Sequence, residues 1–239
     1  MMIRDTELQN TTEPAINYST CYRLPFLSLF HADCMEIMKQ YPYKYFDLAI
    51  VDPPYGIDWM QQIQKPNTKA NWKQYENKEW DKQTPTAEYW EQLFRVSKNQ
   101  IVWGGNYMTE NLKPSPCWLI WDKMQEFSGA VFEMAWTSFT SPAKAFRMSR
   151  VEAYTKQSKI HPTQKPVKLY SWILQQYCKP NQLILDTHFG SGSIALAVDK
   201  ANRLDKMNLH LTACEIDKEY IDKAIKRISE SIKQGTLSF

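Results

Sequence analysis

The chain has 239 residues, of which 43% are hydrophobic and 23% charged, and its formal net charge at pH 7 is +3. These values are typical of a soluble globular protein. No run approaches about eighteen apolar residues, so we expect no membrane span, and the polar segment 1–20 lacks the apolar core of a secretory signal. The five cysteines have no CxxC or CxH spacing, so we expect reduced thiols in a cytoplasmic protein, without disulfides or a metal site.

Short apolar runs alternate along the chain with longer segments of helical periodicity. This alternation predicts an α/β fold with a mostly parallel sheet and helices on both faces. One antiparallel strand is expected at 132–139, because only a short connection separates it from the strand before. The predicted strands are 46–51, 100–104, 117–121, 132–139, 183–186 and 209–215, and the predicted helices lie near 34–40, 86–97, 106–112, 166–178, 192–201 and 218–233.

Two prolines follow the first predicted core strand after one intervening residue, Asp52, in the sequence VDPPYG at 51–56. Proline fixes its own φ angle and has no amide hydrogen, so Pro53 and Pro54 hold Asp52 extended and offer carbonyl oxygens without competing donors. Asp52 adds a carboxylate, and Tyr55 adds an aromatic face for stacking. Such acceptors beside an aromatic ring suit a planar ring with an exocyclic amine, such as adenine or cytosine.

A glycine-rich turn follows another predicted strand, in the sequence LILDTHFGSGSIALAV at 183–198. Gly190 and Gly192 lie between Asp186 and a helix whose first amides are unpaired. Glu215 ends the next predicted strand, where an acid can accept both hydroxyls of a ribose. The pattern matches neither GxGxxG nor GxxxxGK[ST], so it favours a nucleoside cofactor other than a dinucleotide or nucleoside triphosphate. A tight strand–helix turn without a ligand would contain the same glycines.

Three motifs in one order resemble the amino-methylating DNA methyltransferases, which use S-adenosylmethionine. DPPY at 52–55 resembles their catalytic motif, IHPTQKP at 160–166 the segment before their methionine-binding loop, and DTHFGSGS at 186–193 that loop itself. The order resembles that of the permuted beta group, and the likeness extends from about residue 29 to residue 230. It implies the Rossmann-like fold of the S-adenosylmethionine-dependent methyltransferases, with a single domain over 21–239 after a flexible arm at 1–20.

The resemblance also assigns roles to individual residues. It implies that Asp33 binds the adenine amine of the cofactor, Glu215 its ribose, and Thr163 and Lys165 its methionine end. The predicted catalytic residues are Asp52, Pro53, Pro54 and Tyr55. The predicted cofactor contacts are Asp33, Cys34, Thr163, Lys165, Asp186, Phe189, Gly190, Ser191, Gly192, Ser193, Glu215 and Ile216.

The sequence departs from the usual family pattern at two places. Ala32 stands where the family usually has a glycine before the first aspartate. Thr187 and His188 stand between Asp186 and Phe189, where the family usually has Pro-Phe after the aspartate. Neither change removes a group that methyl transfer requires.

Two segments outside the alternating pattern are candidates for DNA contact. Residues 57–85 are polar with interspersed aromatics, and Trp72, Tyr75 and Trp80 suit a lid, a wedge into DNA or a local hydrophobic cluster. A short target-recognition insertion is expected at 140–160, because 140–165 holds six Lys or Arg against one Glu. A charge run of this kind is also typical of a solvated face. The predicted DNA contacts are Trp72, Lys144, Arg147, Arg150, Lys156 and Lys159.

The resemblance implies methyl transfer to N6 of an adenine flipped out of double-stranded DNA. Methylation of N4 of cytosine is the closest alternative, although family members with an initial Asp in this motif favour adenine and those with Ser favour cytosine. Methylation of RNA or of protein glutamine is a further alternative, and a catalytically silent DNA-binding subunit is another. A homodimer, a cognate restriction enzyme and a partner subunit are candidate partners.

Overall fold

The computed structural model describes residues 21–57, 83–125, 130–154, 160–161 and 163–236. The strands within these ranges are Cys21–Leu24 (β1), Leu27–His31 (β2), Phe46–Val51 (β3), Ser97–Trp103 (β4), Trp118–Asp122 (β5), Phe132–Thr137 (β6), Lys144–Arg147 (β7), Leu183–Asp186 (β8) and His210–Glu215 (β9). The helices are Cys34–Gln40 (α1), Ala87–Val96 (α2), Arg150–Tyr154 (α3), Val167–Tyr177 (α4), Ser193–Asp205 (α5) and Lys218–Thr236 (α6).

The described strands form one nine-stranded sheet in the order β1-β2-β9-β8-β3-β4-β6-β5-β7. The five central strands, from β2 to β4, are all parallel. β6 runs antiparallel to both of its neighbours, and β1 pairs antiparallel with β2 at the edge. The prediction of a mostly parallel sheet is therefore confirmed, and the antiparallel strand predicted at 132–139 is β6.

Both faces of the sheet are covered by helices, as predicted. The central strand β3 shows why, since Leu48 and Ile50 belong to one buried cluster whereas Ala49 and Val51 belong to another. The first cluster contains the apolar faces of α4, α5 and α6, and the second contains those of α1 and α2. A strand buried on both faces needs the continuous apolar run that FDLAIV provides.

Some predicted elements differ from the structure. The helix predicted at 106–112 is instead two short 3-10 turns, Gly105–Tyr107 and Thr109–Asn111, because the left-handed Gly104 (φ +68°) turns the chain directly after β4. The connector at 140–165 was expected to lack regular structure, but it contains β7 and α3. The arm at 1–20 and residues 58–82 lie outside the described residues, as do Trp72, Tyr75 and Trp80.

Candidate active site

Four acidic residues stand at the carboxyl ends of four neighbouring parallel strands. Asp33 follows β2, Glu215 ends β9, Asp186 ends β8 and Asp52 follows β3, and these strands are adjacent in that order. Ligands of open α/β sheets bind in the crevice at this edge. The sheet thus brings the predicted cofactor acids and the catalytic acid, which are far apart in sequence, to one edge of the fold.

Asp52 is held by two donors. The Tyr55 hydroxyl donates to Oδ1 at 2.6 Å, and the Lys165 ammonium forms an ion pair with Oδ2. Lys165 Nζ also lies 3.3 Å from the Tyr55 oxygen, and its side chain is only 1% exposed. Each carboxylate oxygen has two lone pairs, so Asp52 keeps the capacity to accept a further N–H. Lys165, which the resemblance assigns to the methionine end of the cofactor, thus contacts the carboxylate of the predicted catalytic residue.

A second ion pair extends this group away from Asp52. Oε2 of Glu133, on β6, lies 3.5 Å from Nζ of Lys165, and Oε1 of Glu133 lies 2.8 Å from Nζ of Lys123. The four side chains alternate in charge, and Lys123 is also nearly buried. The sequence analysis did not identify Glu133 or Lys123, because no motif surrounds them. The pairing of β6 with β4 brings Glu133 to the site, and the pairing of β5 with β6 brings Lys123 beside it.

The charges within this network act on both carboxyls. Burial raises the pKa of Asp52, while the Lys165 ammonium and the Tyr55 hydroxyl act in the opposite direction. Burial alone would also raise the pKa of Glu133, but the ammonium groups of Lys165 and Lys123 outweigh it and lower that pKa. Lys165 thus counteracts the desolvation that would otherwise favour a protonated Asp52.

The Tyr55 ring is fixed by the turn after β4. A Cβ atom at Gly104 would lie 2.1 Å from Cε1 of Tyr55, so the ring packs directly on the glycine backbone. Tyr107 stacks on the same ring, with centroids 5.3 Å apart and planes inclined by 16°. Burial raises the pKa of Tyr55 well above its usual value, so the hydroxyl stays protonated and donates to Asp52.

The glycine-rich loop is tied to the end of β9. The amide of Gly190 donates to Glu215 Oε2 at 2.8 Å, and the amide of Asp217 donates to Oε1 at 3.0 Å. Gly190 has a φ of +51°, and a Cβ added there would meet nothing closer than the His161 ring at 3.7 Å. The loop therefore leaves open space beside a carboxylate whose orientation is fixed by backbone donors.

Two further residues shape the glycine loop. Asp186 Oδ1 accepts the amide hydrogen of His188 at 3.0 Å, and burial raises the pKa of Asp186 to about 8. Arg227 on α6 donates to the carbonyl of Ser191 at 2.8 Å and to the hydroxyl of Ser193 at 3.0 Å. Asp186 therefore accepts a hydrogen bond from the loop backbone, and Arg227 donates hydrogen bonds to the loop from α6.

A cavity of about 430 Å³ joins the DPPY turn to the glycine loop. This volume is within the usual range for small-molecule sites. The predicted site residues that line it are Asp52, Pro54, Thr163, Lys165, Phe189, Gly190, Ser191, Ser193, Glu215 and Ile216. The lining residues that the sequence analysis did not assign to the site are His161, Gln164, Tyr170, His188, Asp217 and Tyr220.

Other predicted residues lie beside the cavity and do not line it. Asp33 is exposed and caps α1, since its carboxylate accepts the amide hydrogen of Met35 at 2.8 Å. Burial raises the pKa of the neighbouring Cys34 thiol to about 12, so this thiol stays protonated. The remaining predicted residues outside the lining are Pro53, Tyr55, Asp186 and Gly192.

The structure describes only part of the predicted DNA-binding surface. Lys144 donates to Gln176 at 2.7 Å, and its ammonium lies 5.3 Å from the centre of the Tyr177 ring. Arg147 pairs with Asp122 at 3.3 Å and is 76% exposed. Arg150 begins α3, whereas Trp72, Lys156 and Lys159 lie outside the described residues.

The described part of the chain contains neither of two further features, a metal-ion cluster and a membrane-spanning helix. No group of three or more His, Cys, Asp or Glu is arranged there to hold a metal ion. Within the same ranges, no helix combines the length and the apolar character that crossing a membrane requires.

A family of known proteins accounts for this combination of cavity and motifs. The sequence model of the N6/N4 methyltransferase family, described as DNA methylase, matches residues 102–226. The chain belongs to this family of DNA amino-methyltransferases. S-adenosylmethionine is the methyl donor of the family, which confirms the cofactor predicted from the sequence.

Two type II methyltransferases are similar to this DNA amino-methyltransferase over most of its length. The chain is 26% identical to M.HinfI of Haemophilus influenzae, over 85% of this chain and 68% of that protein. It is 23% identical to M2.MboI of Moraxella bovis, over 71% of this chain and 78% of that protein. Both alignments support the family assignment, although their identities are low.

Two solved structures show the same fold. The M1.HpyAVI–SAM complex matches with a TM-score of 0.52 and 18% identity, over 84% of this chain and 98% of that chain. The PvuII DNA methyltransferase, described as cytosine-N4-specific, matches with a TM-score of 0.54 and 14% identity, over 87% of this chain and 92% of that chain. These likenesses confirm the methyltransferase fold predicted from the sequence.

The cavity fits S-adenosylmethionine. Glu215 offers a carboxylate to ribose hydroxyls, and the positive-φ Gly190 permits close approach of a ligand to the backbone. The carboxylates of Asp52 and Asp217 also line the cavity, which suits a ligand with a positively charged sulfonium and ammonium. Glu215 would hold the ribose, and the glycine loop and Thr163, which the resemblance assigns to the methionine, line the same cavity.

Proposed function

We propose that this chain transfers a methyl group from S-adenosylmethionine to N6 of adenine in double-stranded DNA. One observation carries the proposal: the Asp52 carboxylate, fixed by Tyr55 and Lys165, lines the same cavity as the glycine loop and Glu215. An acceptor for an amine is thus placed beside the site for a methyl donor. The aspartate at the first motif position favours adenine over cytosine.

The reaction requires a more nucleophilic amine, since the lone pair of an exocyclic amine is delocalised into the ring. Asp52 and the carbonyl of Pro53 accept the two N–H hydrogens, which localises the lone pair on nitrogen. Bound S-adenosylmethionine supplies an electrophilic methyl group on its sulfonium. A bond between the nitrogen and the methyl carbon would form as the sulfur–methyl bond breaks, with S-adenosylhomocysteine as the neutral leaving group. The methylated nitrogen would carry an extra proton, which passes to the Asp52 carboxylate and then to solvent. Preorganised acceptors of this kind stabilise the charge that develops on the amine.

The target base must leave the duplex to reach Asp52. Tyr55 and the half-exposed Tyr107 offer aromatic surface beside the carboxylate for the extruded ring. The basic residues from Lys144 to Lys159, with Trp72, are proposed to contact DNA. Because the region between β5 and the HPTQKP segment is short, a homodimer would extend the contact with DNA, and a restriction enzyme or partner subunit is also compatible with the type II relatives.

The product of the reaction tests the proposal. The purified chain is incubated with unmethylated DNA and S-adenosylmethionine, the DNA is digested to nucleosides, and the products are identified by mass spectrometry. We expect N6-methyladenine, whereas N4-methylcytosine would establish the second candidate, which the PvuII likeness favours. If neither product forms while the cofactor binds, the DNA assignment is wrong, and methylation of an RNA substrate is tested next.

A further inference from the structure

His188 is a polar residue in the glycine loop at a place where the family usually has an apolar one. Its imidazole lines the cavity, although the sequence analysis did not assign it to the site. It follows the end of β8, whose neighbours in the sheet are β9, which ends in Glu215, and β3, which precedes Asp52. His188 thus follows the strand that lies between those leading to Glu215 and to Asp52.

A chain of hydrogen bonds reaches His188 from the helix α2. The Tyr89 hydroxyl lies 2.8 Å from the Thr187 hydroxyl, and this lies 2.9 Å from Nδ1 of His188. Tyr89 and Thr187 are each only 3% exposed. A hydroxyl hydrogen that pointed elsewhere would be buried without an acceptor among the described residues, so Tyr89 donates to Thr187 and Thr187 donates to His188.

This direction of donation fixes the tautomer of the imidazole. A neutral ring that accepts a hydrogen bond at Nδ1 carries its own hydrogen on Nε2. Burial lowers the pKa of His188 to about 4, against the opposing charge of Asp33, so the ring is neutral at pH 7. A neutral ring is also compatible with a nearby sulfonium, which a protonated imidazole would repel.

We propose that His188 binds the nucleoside half of S-adenosylmethionine by donating its Nε2–H to an acceptor of the purine or ribose. The nucleoside half is the one assigned to Asp33 and Glu215. The charge of Asp33 acts on His188, and Glu215 lines the same cavity as His188. The inference rests on the proposed function only in that the cavity holds this cofactor. Tyr89 and Thr187 are positioning residues, since they act on the cofactor through the imidazole.

Cofactor affinity without DNA tests the proposal. Isothermal titration with S-adenosylmethionine and with S-adenosylhomocysteine is done on the intact chain. Replacing the ring by the family's apolar residue, His188→Phe, is expected to weaken binding roughly five- to tenfold, which is the effect of one lost hydrogen bond. His188→Asn retains a side-chain N–H and is expected to recover part of the affinity. Thr187→Val and Tyr89→Phe, which free the tautomer, are expected to weaken binding by a smaller factor.

Two controls separate this role from a structural one. His210→Phe changes a histidine at the amino end of β9, at the opposite edge of the sheet, and is expected to bind as the wild type does. Nitrogen-15 NMR of the imidazoles reports the tautomer directly, and the signal that disappears in His188→Phe is that of His188. We expect this signal to show hydrogen on Nε2 in the wild type and to change in Thr187→Val. Equal affinity of His188→Phe and the wild type would overturn the inference, as would hydrogen on Nδ1. Failure of the wild type to bind S-adenosylmethionine would instead overturn the proposed function.

Discussion

The two halves of the cavity are built in different ways. In the cofactor half, the Glu215 carboxylate is fixed by amides of nearby backbone, those of Gly190 and Asp217. In the catalytic half, the Asp52 carboxylate is fixed by side chains, those of Tyr55 in its own motif and of Lys165, with Glu133 next to Lys165. The backbone donors of the cofactor half carry no charge, whereas the ion pairs of the catalytic half bring charged side chains from separate strands and loops to one carboxylate.

The largest effect that separates the halves is expected at Asp52. Asp52→Ala removes the acceptor for the amine, and we expect the rate of methyl transfer to fall on the order of a hundredfold or more. Cofactor affinity is expected to stay near that of the wild type, since the glycine loop and Glu215 are untouched. Single-turnover methylation and isothermal titration measure the two quantities, and an equal loss of both would contradict the division of roles.

The reciprocal change is Glu215→Ala. It removes a carboxylate proposed to bind ribose and leaves the amides of Gly190 and Asp217 without their acceptor. Charged hydrogen bonds contribute about 1.5–3 kcal/mol each, so we expect roughly ten- to hundredfold weaker cofactor binding. The rate at saturating cofactor should change less than this. Unchanged cofactor affinity in isothermal titration would show that Glu215 does not bind the cofactor.

A smaller effect, on stability, is expected at Gly104. Gly104→Ala places a methyl group 2.1 Å from the Tyr55 ring at a φ of +68°, so both the ring and the backbone must shift. We expect a loss of about 1–3 kcal/mol in the free energy of unfolding and a lower Tm. Differential scanning calorimetry measures it, and cofactor affinity serves as the control, because the glycine loop lies elsewhere. A wild-type Tm would show that Tyr55 does not depend on this contact.

The same division explains what the sequence could predict. The strands next to Asp52, Asp186 and Glu215 are mostly buried and rich in apolar residues, so their position and parallel direction were predicted. The strands β1, β2 and β7 were not predicted. β1 and β7 lie at the two edges of the sheet and hold partly exposed or exposed residues, so they lack the apolar run that identified the equally short β8.

The site shows a similar limit. The motif IHPTQKP identified Lys165 as a site residue, and the resemblance assigned it to the methionine end of the cofactor, which stays a prediction. The ion pair of Lys165 with Asp52 could not be predicted, because the two residues are far apart in sequence. Glu133 lies in FEMAWTSF, where nothing in the sequence sets it apart from other exposed-face acids of a strand. The pairing of β6 with β4 brings it to Lys165, and long-range pairing of this kind cannot be read from local pattern.

Burial raises the pKa of Asp52, and Lys165 and Glu133 shift this pKa in opposite directions, Lys165 downward and Glu133 upward. The acidic limb of the pH–rate profile tests these two effects, because Asp52 accepts the amine only when ionised and activity is lost as pH falls through its pKa. Lys165→Met removes a charge that lowers this pKa, and we expect the limb to move to higher pH. Glu133→Gln removes a charge that raises it, and we expect the limb to move to lower pH. Lys168→Met, which breaks an exposed ion pair with Glu152, serves as the control. Opposite shifts of the limb in the two test variants would confirm the account. Shifts in the same direction, or no shift, would contradict it.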